Sequence, residues 1–127
     1  MKAVDSCGWL EFIANSENAP FFELALRDEK QVLIPSRVIF EVIKRLSQLK
    51  QETAADAFLA IAERCLVVHL NAAQMAQAAR ASIEHKLALA DAIIWQSAQC
   101  HQAKLYTQDM DLKGLPGVVY QEKRKPT

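Results

Sequence analysis

Five short apolar runs, each closed by a turn or a helix start, constrain this chain most. They are Lys2 to Val4, Gln31 to Ile34 (QVLI), Cys65 to Leu70 (CLVVHL), Lys104 to Thr107 (KLYT) and Gly117 to Tyr120 (GVVY). They are rich in Val, Ile and Leu and lack polar alternation, as strands buried on both faces of a parallel sheet require. Helical periods fill the intervals, over about 6–14, 18–28, 36–50, 52–64, 71–86 and 89–101. The pattern predicts an α/β fold, a three-layer α/β/α sandwich around a five-stranded, mainly parallel sheet. At 127 residues the chain forms one domain with one core, expected over 1–121, with a basic tail over 122–127.

Composition narrows the function classes. Fifteen Lys and Arg balance fifteen Asp and Glu, so grip on nucleic acid by bulk positive charge is excluded, as is a disordered acidic segment. Cys7, Cys65 and Cys100 are odd in number and widely spaced, which supports neither a disulfide framework nor a zinc site and points to a reducing, cytoplasmic setting. Asp5 and Glu11 interrupt what would be the apolar core of a signal peptide. No run approaches the roughly 20 apolar residues that span a bilayer, so no membrane role is expected.

In open parallel sheets, ligands gather outside the carboxyl ends of the strands. Asp5-Ser6 follows the first strand, Thr107-Gln108-Asp109 follows the fourth, and Asp91 opens the helix before the fourth. Taken singly, each has an ordinary role: Asp5 and Asp91 suit helix N-termini, and Asp109, with Asp111 and Gly114 beyond it, suits a turn. Together they are harder to dismiss. If the first and fourth strands are neighbours, these acids meet at one sheet edge. Two carboxylates about 5 Å apart repel by roughly 3 kcal/mol at an effective dielectric near 20. Such a group must take up protons or enclose a hard cation, for which Mg²⁺ or Mn²⁺ is the natural choice.

The segments VDSCGWLEFIANSENA, VLIPSRVIFEVIKRL and LALADAIIWQSAQCHQAKLYTQDMDLKGLPGV resemble the PIN-domain ribonucleases, in particular the VapC toxins of bacterial toxin-antitoxin pairs. The likeness covers nearly the whole chain, with four motifs in order. It implies that Asp5, Glu41, Asp91 and Asp109 form the catalytic, metal-holding set for Mg²⁺ or Mn²⁺. Asp111 falls at a position often but not always acidic in the family, and Ser6 and Thr107 would support the ligands. The resemblance implies a metal-dependent endoribonuclease acting on RNA, a cognate antitoxin and a homodimer. A degenerate, non-catalytic PIN-fold binding module is the alternative, as is a solitary RNA-processing nuclease. Cys7 stands where a second Ser or Thr is common, and Trp95 where a small residue is usual.

Glu41 enters by resemblance alone. On the helix over 36–50, Val38, Val42, Leu46 and Leu49 share the core-facing stripe, and Glu41 falls off it towards Arg37, Lys44 and Gln48, as a solvated acid would. Ile39, Phe40 and Ile43 widen the apolar arc and imply a second burial surface. His69, His85 and His101 receive no task. Arg37, Lys44, Arg45, Lys86, Lys104, Lys113, Lys123, Arg124 and Lys125 are candidate phosphate contacts, most of them expected to be plain surface charge. Phe21, Phe22, Phe40 and Phe58 could face a partner, though core burial is the expectation for each.

Overall fold

The computed structural model describes residues 1–125. Positions 126 and 127 of the expected basic tail lie outside the described residues. Strands β1 (Lys2–Val4), β2 (Val32–Pro35), β3 (Leu66–Val68), β4 (Lys104–Thr107) and β5 (Val118–Tyr120) form one sheet in the order β3-β2-β1-β4-β5. All four pairings are parallel, so the sheet is wholly and not merely mainly parallel. Central strands read as apolar because both faces are covered: Ala3, Val4, Leu33, Ile34 and Leu105 have no exposed surface. Leu66, on edge strand β3, keeps 45 % exposure because it has a neighbour on one side only.

Six helices join the strands: α1 (Ser6–Ile13), α2 (Ala19–Leu26), α3 (Ser36–Gln48), α4 (Glu52–Arg64), α5 (Ala72–His85) and α6 (Leu89–Cys100). The chain steps from β1 through β2 to β3 in one direction, then returns past β1 to β4. Right-handed crossovers therefore put α1 to α4 on one face and α5 and α6 on the other. The packing agrees, with α1 against α2 and α3, α3 against α4, and α5 against α6. Reversal of direction beside β1 leaves a crevice between the carboxyl ends of β1 and β4, where ligands bind in sheets of this kind.

Helix α3 departs from its expected face in two places. It ends at Gln48, so Leu49 leaves the stripe as its C-terminal cap and is 46 % exposed, while Val38, Val42 and Leu46 are buried. Phe40, expected in the core like the other phenylalanines, is exposed instead. Two residues from both Val38 and Val42, it points roughly away from the stripe they form. Phe22 and Phe58 are buried and Phe21 is half-buried against Phe22 and Tyr106. Trp95 is buried; its Nε1 donates to the Pro116 carbonyl at 3.0 Å and its ring meets His85 edge-on, so it braces α6 against the β4–β5 connection.

Candidate metal centre at the carboxyl ends of β1 and β4

Asp5 ends β1 and caps α1. Its Oδ1 accepts from the Gly8 amide at 2.8 Å, so it performs the capping role its position suggests. Its Oδ2 accepts from the Thr107 hydroxyl at the end of β4. The same hydroxyl accepts from the Asp109 amide at 2.9 Å, so one side chain ties the two strand ends together. Asp109 in turn caps the 3-10 turn Met110–Leu112, its Oδ1 accepting from the Asp111 amide at 2.9 Å. Gly8 is a residue that sequence reasoning missed. A Cβ there would lie 2.5 Å from both Phe22 and Val4, so only glycine lets α1 start this close to β1.

From the flanking helices come Glu41 and Asp91. The Ser6 hydroxyl donates to Glu41 Oε1 at 2.6 Å, and Arg37 Nε stands 3.9 Å from Glu41 Oε2, one helical turn away. Asp91 lies in the first turn of α6. Among the described residues, Asp91, Asp109 and Asp111 form one cluster in which a carboxylate oxygen of each lies within 4.8 Å of the others. Asp111, the least certain member of the expected set, thus sits inside the tightest group, while Asp5 and Glu41 flank it. Both flanking acids are near enough to act on one another electrostatically.

The electrostatics carry the mark of this crowding. Burial pushes the Asp5 carboxyl up to about 6, against the opposing pull of its bonds from Thr107 and Gly8, with Asp109 and Glu41 adding repulsion. Asp91 is pushed up to about 7, first by desolvation and then by Asp109, Asp5 and Asp111. The positive end of α6, worth about 0.3–1 kcal/mol to an acid in its first turn, is outweighed. Partial desolvation of its sulfur, then Asp5, Asp109 and Glu41, push the Cys7 thiol up to about 11 against the pull of Lys123, which favours the protonated thiol at neutral pH.

Residues 2–118 match the PIN domain family model. The chain belongs to the PIN-domain family. Its sequence matches no curated protein. Among solved structures, this PIN domain is similar to a toxin-antitoxin complex from Klebsiella pneumoniae at 25% identity and a TM-score of 0.77, covering 94% of this chain and 96% of that one. It is similar in fold to the sarcin-ricin-loop-cleaving VapC toxin of Mycobacterium tuberculosis, at 19% identity and a TM-score of 0.70 over 89% and 92% of the two chains. A VapBC complex of Rickettsia felis bound to a DNA fragment from its promoter gives 16% identity and a TM-score of 0.70, over 95% and 97%. Two of these three solved neighbours are thus a VapC toxin and a VapBC complex, and the third is a toxin-antitoxin complex, in line with the resemblance in the motifs. Among the described residues, no helix is long and apolar enough to cross a membrane.

The Thr107 hydroxyl links the two halves of the centre, which makes it the most informative supporting residue. Thr107→Val keeps shape and removes both hydrogen bonds. The Asp109 amide and Asp5 Oδ2 then lose their buried partner, at a cost of about 1–3 kcal/mol in thermal or denaturant unfolding. Any metal-dependent activity should fall by roughly ten- to a hundred-fold, the usual effect of losing a group that orients a ligand. Unchanged unfolding together with unchanged activity would contradict this bridging role.

Proposed function

We propose that this PIN domain is a metal-dependent endoribonuclease and the toxin of a type II, VapBC-like toxin-antitoxin pair. One observation carries the proposal: at the crevice where the sheet reverses direction, acids from the end of β1, from α3, from α6 and from the turn after β4 draw together and, among the described residues, only Glu41 of these acids has a salt bridge. Arg37 reaches only the flank of Glu41. The donor set fits Mg²⁺ or Mn²⁺, since every candidate ligand is a hard carboxylate oxygen; Asp5 and Asp91 are raised first by burial and then by their acidic neighbours, a setting that a bound cation would offset. Asp5, Glu41, Asp91 and Asp109, with Asp111, would hold the ion or ions.

A bound divalent ion supplies an activated water at neutral pH and charge stabilisation at the phosphate. The chain's own residues do the positioning. Thr107 fixes the rotamer of Asp5 and the path of the Asp109 turn at once. Ser6 holds Glu41 from the first position of α1, so two ligands of different elements are set by neighbouring residues, 5 and 6. These supports sit on a rigid strand end and helix start, where a site is held more closely than on a free loop. RNA is the proposed substrate, with unpaired regions favoured because their backbone and bases are within reach. A cognate antitoxin and a second toxin copy are the proposed protein partners.

The test is cleavage of single-stranded RNA by the purified protein. Cleavage should require Mn²⁺ or Mg²⁺, stop with EDTA and return when the ion is restored. Cleavage that persists through chelation would overturn the metal mechanism, and none in either ion would overturn the nuclease.

A further inference from the structure

Phe40 is the one Phe, Tyr or Trp side chain among the described residues that stands in solvent, at 60 % exposure. A lone exposed apolar residue calls for no explanation. Its setting does. The Arg37 guanidinium lies 5.9 Å from the ring centroid and the Lys44 ammonium 5.7 Å, one helical turn before and after. Arg37 also faces the candidate metal centre, 3.9 Å from Glu41, yet its Nε is buried and makes no hydrogen bond, because that distance is too long for one. One side chain therefore spans the ring and the acids with a donor to spare. Beside them runs an open groove of about 410 Å³ between α3, the loop after β3 and α6, lined by Arg37, Phe40, His69, Ile93 and Ser97 among others. Ile93 lies two residues beyond Asp91 on the same helix.

We infer that Phe40 is a base-stacking platform: an unpaired nucleotide of the RNA lays its base on the ring while Arg37 and Lys44 take the flanking phosphates. This rests on the nuclease reading and adds where the substrate lies. Charge complementarity selects the occupant. Two cations lie over an exposed ring, next to a centre proposed to act on phosphodiesters, and match a chain that alternates flat bases, which would take their place on the ring, with phosphates, which they would then bind, as in other single-strand binders. A protein partner burying Phe40 would instead have to desolvate both cations. His69 at the groove's far side adds a second flat ring and hydrogen-bonding nitrogens for a base edge. The zero net charge of the chain makes such a local device necessary, because no bulk field draws the RNA in.

The experiment is single-turnover cleavage of a mixed-sequence, single-stranded 12-nucleotide RNA in Mn²⁺, at increasing protein concentration, with the molecular mass of each protein measured in solution. Phe40→Ala and Phe40→Leu should each raise the half-saturating concentration about ten-fold, from loss of one stacked base, and leave the maximal rate within about three-fold. Phe40→Tyr, which keeps the π-face, should stay within about two-fold of the wild type. Arg37→Gln should weaken saturation and flatten its salt dependence. Half-saturation that Phe40→Ala or Phe40→Leu leaves unchanged while the wild type cleaves would overturn the platform alone. A drop in mass with unchanged half-saturation would assign Phe40 to a contact between copies of the chain and overturn it equally. No cleavage by the wild type would remove the nuclease reading and the platform with it.

Discussion

Asp5→Asn is expected to abolish RNA cleavage, by at least a hundred-fold and beyond the ten- to hundred-fold typical of losing a group that only orients a ligand. The same substitution should leave the ion-free protein as stable or more stable near neutral pH. Asp5 is 4 % exposed, and its carboxyl is raised from 3.8 to about 6, which corresponds to on the order of 3 kcal/mol held against folding once it ionises. The Asn oxygen can still accept from the Gly8 amide. Its NH₂ cannot accept from Thr107, so one buried hydrogen bond is lost, at about 1–3 kcal/mol. The balance is a gain of up to about 2 kcal/mol, read as a denaturation midpoint in EDTA at pH 8 that is level with or above the wild type's. Keeping or gaining stability while losing activity separates a ligand from a structural residue, for which both would fall. A variant that is inactive and less stable would mean that Asp5 acts chiefly through the bond it accepts from Thr107, tying β1 to β4.

The second large effect is on pH. Asp5 and Asp91 both ionise later in the folded chain than in the unfolded one, at about 6 and about 7 against 3.8. Between those values the folded state holds more protons than the unfolded state, so stability falls as pH rises from about 4 to about 7 and then levels off. The ion reverses this. Binding requires the deprotonated acids, so Mn²⁺ should raise the melting temperature strongly at pH 8 and little at pH 5. At a hundred times its dissociation constant, an ion bound only by the folded state adds about 2.7 kcal/mol. A pH dependence of the melting temperature in EDTA that is the same for wild type and for Asp5→Asn would contradict the raised carboxyl of Asp5.

The sequence made the layers legible because a doubly covered parallel sheet leaves a plain signal: Val, Ile and Leu runs without alternation, separated by helical periods. Strand boundaries fell within a residue or two, with Pro35 and Val68 rather than Ile34 and Leu70 ending β2 and β3. Strand order was not legible, since nothing in a run such as KLYT says that it lies beside Lys2–Val4. That adjacency brings Asp5 and Asp109, each a cap by itself, to neighbouring strand ends joined through Thr107. Glu41 shows the limit from the other side. Its periodicity is that of a solvated acid paired with Arg37, and that pair is present; only the fold brings Ser6 and Asp5 to it. Asp111 stands at the margin of the expected set because its position is often but not always acidic in the family, yet the turn after β4 carries it to Asp91 and Asp109. Phe40 escaped because the apolar arc of α3 is wider than its buried face.

The account rests on these acids acting as one divalent-ion site, and calorimetric titration of the chelated protein with Mn²⁺ at pH 7.5 tests that most directly. Saturable binding is predicted for the wild type and for Phe40→Ala, with none at the same concentrations for Asp91→Asn or Asp109→Asn. Wild-type protein that takes up no Mn²⁺, or variants that bind it as the wild type does, would contradict the claim.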